Sequence, residues 1–255
     1  MQTKENKMGV MPIDKLLISM SLPMMISMLV QALYNIVDSI FVSRINEYAL
    51  RAVSLAFPIQ SLMIAVAVGT NAFLSKTLGE KDFEKADIIA RNGIFLAIAS
   101  YVAFAVIGLL VSRPFFASQT EVLEVREYGV TYLTICCVAG MGIFLQTTFE
   151  RLLQATGKTF YTMITQGTGA VINIILDPIL IFGYFGIPRM GIAGAAVATV
   201  IGQIIAAILA LVFNLKCNRE LNISMKGFRP NGHLIVQIYK VGAPSIVVQA
   251  IGSLV

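Results

Sequence analysis

Charged residues are scarce in this chain of 255 residues. They make up 13% of the sequence, whereas soluble domains carry nearer a quarter, and hydrophobic residues make up 57%. The mean hydropathy is +0.80. This balance excludes an ordinary water-soluble domain. We therefore expect most of the surface to face lipid, which makes the bilayer the first partner of the chain.

Cysteine and histidine are also rare. Cys136 and Cys137 are adjacent in one apolar segment, and Cys217 stands far from both. Adjacent side chains on a helix point in different directions, so this pair predicts apolar packing and neither a disulfide nor a chelate. The single histidine, His233, lies in a polar stretch and indicates a membrane interface. No resident cofactor is expected.

Long apolar runs are abundant. A bilayer core about 30 Å thick is crossed by roughly 20 apolar residues in a helix. Six complete runs and the start of a seventh have this length, which predicts an all-α, polytopic membrane helical bundle. The seventh run is still apolar at Val255, which favours a chain that continues beyond it. The runs lie near 16–42, 52–75, 92–112, 128–149, 159–186, 191–215 and 234–255.

The net charge of +5 follows from residues that alternate between the two ends of these runs. Fourteen of the lysines and arginines lie at one side, and five, all arginine, lie at the other. Because basic residues are enriched in cytoplasmic loops, the larger group predicts a multi-pass protein of the cell (cytoplasmic) membrane with a cytoplasmic N-terminus. The surplus charge thus indicates topology, and no nucleic-acid partner is expected. The smaller group comprises Arg44, Arg51, Arg113, Arg126 and Arg189.

The segment 216–232 differs in composition from the runs around it, with several Asn, Gly, Arg and Pro residues. Such a segment is typical of a join between two helical bundles. The run after it resembles the first when Pro244 is aligned with Pro23, which indicates an internal repeat of six helices. We therefore predict an N-terminal six-helix lobe (1–215), a cytoplasmic interlobe linker (216–232) and the start of a C-terminal lobe (233–255).

Two acidic residues stand within apolar sequence. Twelve of the fourteen lie in the polar N-terminus, in loops or at the ends of runs, which leaves Asp38 and Asp177. An ionised carboxylate at the bilayer centre costs about 2.5–3.5 kcal/mol on insertion scales, so both are candidates for a functional site. The alternative is that each lies close enough to the outer interface to reach water.

Other oxygen-bearing side chains accompany these acids. Gln31 and Asn35 share a helical stripe with Asp38, and Asn173 lies one turn before Asp177. Such oxygens suit Na⁺ or proton exchange and do not suit zinc. The alternative for the amides is hydrogen bonding between helices.

Two prolines and one threonine complete the candidate set. Pro178, after Asp177, removes a backbone hydrogen bond and leaves a carbonyl oxygen available, and Pro23 predicts a bend in the first helix that responds to ion binding. Each proline is alternatively a packing kink. Thr199 follows the small-residue stretch 191–198, which predicts close helix packing, and its hydroxyl is a further possible ligand.

Six short stretches occur in order along the whole chain and together resemble a known family. They are Leu22-Pro23, Gln31-Ala32-Leu33-Tyr34-Asn35-Ile36-Val37-Asp38, Leu78-Gly79-Glu80-Lys81-Asp82, Leu153-Gln154-Ala155-Thr156-Gly157-Lys158, Asn173-Ile174-Ile175-Leu176-Asp177-Pro178 and Gly191-Ile192-Ala193-Gly194-Ala195-Ala196. They are similar to the multidrug and toxic compound extrusion (MATE) transporters.

This resemblance implies half of a two-lobe, twelve-helix transporter. Members of the family export organic cations, drugs and other toxic small molecules in exchange for Na⁺ or H⁺, and this chain resembles the N-terminal lobe, with its own C-terminal lobe as partner. The resemblance implies a cation or proton site at Asp38, Asn173, Asp177 and Thr199. The first three of these would hold Na⁺ in a sodium-coupled member, and Gln31 and Asn35 match positions that line the drug cavity. The chain is then a secondary active antiporter and not an enzyme.

Three functions other than multidrug export are alternatives for such a sequence. A flippase for lipid-linked oligosaccharides, from the same superfamily, is disfavoured because no Lys or Arg lies deep within a run. An intramembrane aspartyl protease would use Asp38 and Asp177 as a catalytic pair, but no glycine flanks either acid. A passive channel would carry flux without a coupling gradient.

Overall fold

The computed structural model of the protein describes residues 11–65 and 67–252, and this part contains helices and no strand. Residues 1–10, with the basic Lys4 and Lys7, and residues 253–255, at the end of the predicted seventh run, lie outside the described residues. The helices are α1 (Ile13–Ser43), α2 (Glu47–Ala65), α3 (Val68–Gly79), α4 (Phe83–Gln119), α5 (Leu123–Val138), α6 (Met141–Ala155), α7 (Thr159–Phe182), α8 (Ile192–Cys217) and α9 (Gly232–Gly252), with a short 3₁₀ turn at Tyr184–Gly186.

Five helical stretches in the described part are long and apolar enough to cross a membrane. They are α1, α2 with α3 (Glu47–Gly79), α4, α7 and α8, and the bent pair of α5 and α6 is a sixth if it crosses as one broken span. The prediction of an all-α polytopic bundle is confirmed. The helix α9 coincides with the predicted seventh run and contains Pro244.

The fourth predicted run, 128–149, is helical but contains a bend that the sequence analysis does not predict. The chain bends by 53° between α5 and α6, with the break at Ala139 and Gly140. A Cβ atom at Gly140 would overlap the carbonyl oxygen of Cys136, so glycine permits this close approach. The helical pair also extends further than predicted at both ends, from Leu123 to Ala155.

The third predicted run, 92–112, is part of a much longer helix. The helix α4 has 37 residues, about twice the length that a bilayer core requires, so its ends extend into the interface. Its first residues are charged, and the Asp82 carboxylate caps it by accepting a hydrogen bond from the Lys85 backbone N–H at 3.1 Å.

Small residues bring α7 and α8 into close contact, as predicted. A Cβ atom at Gly194 would lie 2.6 Å from the Leu180 carbonyl oxygen, and one at Gly202 would lie 2.9 Å from the Gly169 carbonyl oxygen. Neither distance leaves room for a side chain. These two contacts flank Thr199 along α8 and hold the helix against the part of α7 that carries the acid and amide side chains.

Two buried apolar clusters lie at opposite ends of the bundle. The Phe116 cluster joins the C-terminal ends of α1, α4 and α7, through Val42, Phe116 and Ile181. The Leu152 cluster lies at the other end and includes Leu152 of α6 and Leu221 of the segment after α8.

The segment 218–231, within the predicted interlobe linker, is packed against the end of the bundle. The backbone N–H of Asn222 donates to Asp87 Oδ1 at 2.7 Å, and Arg91 Nε donates to the Asn222 carbonyl at 3.1 Å. The backbone N–H of Asn231 donates to Asn92 Oδ1 at 3.0 Å. The segment thus follows the N-terminal end of α4, and its role between lobes stays a prediction.

Candidate functional site

Packing of α1 against α7 brings the two intramembrane acids together. Asp38 and Asp177 are 7% and 0% exposed, and their carboxyl groups lie within hydrogen-bonding reach of each other. They are separated by 139 positions in the sequence, so the tertiary fold alone creates this pair. Two carboxylates this close cannot both be ionised without a cation or a shared proton between them.

The amide of Asn173 connects the acid pair to α8. When the amide is oriented so that both its nitrogen and its oxygen form hydrogen bonds, the nitrogen donates to Asp177 Oδ2 at 2.8 Å. Its oxygen accepts from the Thr199 backbone N–H at 3.1 Å and from Thr199 Oγ1 at 3.2 Å. Asn173 and Thr199 are both buried. The structure therefore brings Asp38, Asn173, Asp177 and Thr199 into one cluster, and their role in coupling stays a prediction.

Two carboxylate oxygen atoms of this cluster accept no hydrogen bond from the described residues. Asp38 Oδ1 and Asp177 Oδ1 are buried and have no hydrogen-bond partner among the described residues. A buried acceptor without a partner is costly, so these atoms suit a ligand that supplies positive charge. Both atoms are carboxylate oxygens, which are suitable ligands for Na⁺ or acceptors for a proton. Among the described residues no three His, Cys, Asp or Glu side chains group as a metal site.

Tyr34 is a member of the cluster that the sequence interpretation did not name as a ligand. Its hydroxyl lies within hydrogen-bonding reach of the Thr199 side chain and close to both acids. Tyr34 precedes Asp38 by one helical turn, and this spacing is a signal that could have identified it.

The polar contacts continue beyond Tyr34 to α2 and α5. Tyr132 lies near Tyr34, and Gln60 Nε2 donates to the Tyr132 hydroxyl at 3.2 Å and to Cys136 Sγ at 3.6 Å. Cys136 and Cys137 are buried within the Phe116 cluster, in agreement with the predicted apolar packing.

Gln31 and Asn35 lie outside the buried cluster. Both side chains are exposed, although they share the helix with Asp38. Asn35 lines an open groove of about 420 Å³ between α1 and α2, together with Ser39 and Leu50. This exposure suits the predicted lining of a cavity, and their contact with a substrate stays a prediction.

Pro23 is half-buried in α1, which continues through it as one helix from Ile13 to Ser43. Pro178 likewise lies inside the continuous helix α7. The predicted response of Pro23 to ion binding stays a prediction.

Glu150 is a third buried acid, which the sequence interpretation assigned to the end of a run. It is 3% exposed on α6. It accepts hydrogen bonds from Gln146 Nε2 at 3.0 Å, from Thr165 Oγ1 at 2.8 Å and from Gln166 Nε2 at 2.8 Å. Gln146, Glu150 and Gln154 recur every four residues, and this polar stripe could have revealed it.

Comparisons with known proteins agree on one family. The sequence model of the MatE family matches residues 23–179. Multidrug export protein MepA of Staphylococcus haemolyticus is 31% identical over 242 residues, which is 91% of this chain and 52% of that protein. MepA of Staphylococcus aureus is 28% identical over 243 residues, which is 92% of this chain and 52% of that protein.

A solved structure supports the same assignment. It is described as the outward-facing conformation of a multidrug resistance MATE family transporter of the MOP superfamily. It matches with a TM-score of 0.83 and 29% identity, over 92% of this chain and 52% of that one. The chain therefore spans about half the length of the relatives it matches.

Proposed function

Because this chain belongs to the MatE family, we propose that it is the N-terminal lobe of a multidrug exporter that exchanges organic, often cationic, compounds for Na⁺ or H⁺. The chain is a multi-pass membrane protein of a transporter family and is not an enzyme. In the proposed arrangement its N-terminus is cytoplasmic, it lies in the cell membrane, and a second lobe completes the substrate cavity.

One observation carries the proposed coupling site. Asp38 and Asp177 each bury a carboxylate oxygen without a donor, and the two groups adjoin. A structural carboxylate pair would be expected to fill these positions with hydrogen bonds. An ion site that fills and empties during transport must leave them available. Asn173 of α7 holds Asp177 through its amide nitrogen, and Thr199 of α8 holds the amide oxygen of Asn173.

The proposed mechanism links the charge of the pair to the shape of α1. Without a cation or proton, repulsion between Asp38 and Asp177 favours separation of α1 from α7, and a bound cation or proton removes this repulsion. Gln31 and Asn35 lie on the same helix as Asp38 and are exposed, so a movement of α1 changes the substrate cavity. We expect this change in α1 to take the form of a bend at Pro23. Drug and coupling ion thus compete through the conformation of one helix.

The other functions weighed above have less support. The relatives in the comparison are multidrug export proteins, and none of the comparisons favours the oligosaccharide flippase or the protease. The adjoining carboxyl groups resemble a catalytic aspartate pair in geometry, yet the family is one of transporters.

The test is drug efflux from vesicles that hold the two-lobe protein, with Na⁺ and pH gradients imposed separately. We expect efflux to respond to one of the gradients, and Asp38→Asn and Asp177→Asn to reduce the gradient-driven rate at least about tenfold, since either change removes one charge of the pair.

Asp14→Asn is the matched control, because Asp14 is an exposed acid on the same helix. We expect it to transport at the normal rate. Normal gradient-driven efflux in both Asp38→Asn and Asp177→Asn would show that the coupling site lies elsewhere.

A further inference from the structure

A groove between the end of α4 and the start of α5 has two arginines in its walls. Its volume is about 600 Å³, and Arg113, Pro114 and Ala117 line it from α4 while Arg126 and Val130 line it from α5. It lies at the opposite end of α4 from the Asp82 cap. Under the predicted topology this end faces outward.

Neither arginine has an ionic partner among the described residues. Arg113 is exposed, and Arg126 Nη2 donates to the Thr120 carbonyl at 3.2 Å. Arg126 Nε is buried and has no hydrogen-bond partner in the described part of the chain. A guanidinium with an unused donor at a membrane boundary suits an oxyanion such as phosphate.

The walls around the arginines favour a lipid as the source of that phosphate. Leu109 and Leu110, one turn before Arg113 on α4, are 61% and 70% exposed, as lipid-facing residues are. Tyr128 of α5 is half-buried and close to Arg126 in sequence, and tyrosine is enriched at membrane–water interfaces. A soluble anion would gain nothing from these apolar surfaces, whereas an acyl chain would cover them.

The net charge of the groove favours lipids with an anionic headgroup. Glu127 is exposed and also lines it, so two arginines and one carboxylate leave one net positive charge. We propose that this groove binds the phosphate of an anionic phospholipid, with Arg113 and Arg126 on the phosphate and an acyl chain along the exposed face of α4. This proposal does not depend on the coupling mechanism.

The test measures lipid retention by the purified full-length protein in detergent, by native mass spectrometry with phosphatidylglycerol, diacylglycerol or inorganic phosphate added. We expect Arg113→Gln to weaken phosphatidylglycerol binding about tenfold through loss of a charge-assisted hydrogen bond. We expect Glu127→Gln to strengthen it, because this change removes a like charge. Arg113 makes no hydrogen bond or ion pair within the described residues, so its loss leaves folding intact.

Arg189→Gln is the control, since Arg189 is an exposed arginine at the same side and outside the groove. It should retain phosphatidylglycerol like the unmodified protein. Unchanged retention in both Arg113→Gln and Glu127→Gln would overturn the proposal, as would equal retention of diacylglycerol. Binding of inorganic phosphate that Arg113→Gln abolishes, without retention of phosphatidylglycerol, would assign the groove to a soluble anion and overturn the lipid assignment.

Discussion

The chain buries acids in two places, and their surroundings differ. Near one end of the bundle, Asp38 and Asp177 adjoin each other and each keeps one oxygen without a donor. Toward the other end, Glu150 accepts from three side chains, and neither of its oxygens lacks a partner. Both places are buried, so depth alone does not distinguish them.

The two places differ in how their ionised carboxylates affect the stability of the fold. Hydrogen bonds to a carboxylate favour the folded state, and the donors around Glu150 join α6 to α7. The aspartate pair combines burial with mutual repulsion, which opposes folding unless a cation or proton is bound. We infer that Glu150 contributes more to stability than either aspartate. Four substitutions test this contrast.

Glu150→Ala is expected to have the largest effect. It removes the acceptor of the Gln146 and Gln166 amides and leaves the Thr165 hydroxyl with the Thr162 carbonyl, which should lower the free energy of unfolding by about 3 kcal/mol. The measurement is thermal unfolding of the purified protein. Glu121→Ala, at an exposed acid in a loop, is the control and should change little. A Glu150→Ala protein as stable as this control would remove the distinction between the two places.

Gly202→Ala should have the second-largest effect on stability. Its Cβ atom would lie 2.9 Å from the Gly169 carbonyl oxygen and 3.6 Å from the Asn173 Cβ, so α8 must move away from α7, at a cost of about 2 kcal/mol. The cluster of Asp38, Asn173, Asp177 and Thr199 should loosen as well. A comparison of the unfolding temperatures with and without Na⁺ would detect this change. Gly167→Ala is the matched control, because nothing lies within 4 Å of a Cβ at that helical glycine. Equal stability of the two variants would contradict the close packing.

Thr199→Val should have a smaller effect. It preserves the shape of the side chain and removes the hydroxyl that bonds Asn173, which should lower stability by about 1 kcal/mol. Thr168→Val is the control, since the Thr168 hydroxyl bonds only the Ile164 carbonyl of its own helix. A larger loss in Thr168→Val, measured by the same unfolding assay, would argue against the Asn173 contact.

Asp38→Asn should change stability least, and any change should be a gain. It removes one of two adjoining buried charges, so the unfolding temperature should equal or exceed that of the unmodified protein while gradient-driven efflux falls. Ser39→Ala, at the next residue of α1, provides the comparison for a neutral change. A loss of stability as large as that of Glu150→Ala would mean that the aspartate pair is structural.

Several features of the fold and site follow from local sequence. The apolar runs predict the number and type of the spans, because roughly 20 apolar residues suffice to define each one. Asp38 and Asp177 stand out within their runs as intramembrane acids do. The stretch 191–198 predicts close packing, and Gly194 against Leu180 confirms it.

Other features depend on neighbours that are distant in sequence. The burial of Glu150 depends on Thr165 and Gln166 of the next helix, and the predicted run stopped one residue before it. The bend at Gly140 depends on whether the Cys136 carbonyl can be approached, and hydropathy does not report this. Asn35 shares a stripe with Asp38, yet one side chain is exposed and the other is buried against α7.

The sequence by itself determined that this chain crosses the membrane as helices and carries two acids in apolar runs. It did so because hydropathy and the cost of charge in lipid act on each segment separately. Only the tertiary structure decided that Asp38 and Asp177 adjoin, that Asn173 connects them to Thr199, and that Glu150 has a full set of donors. These contacts depend on which helix faces are packed together, and packing is a property of pairs of segments.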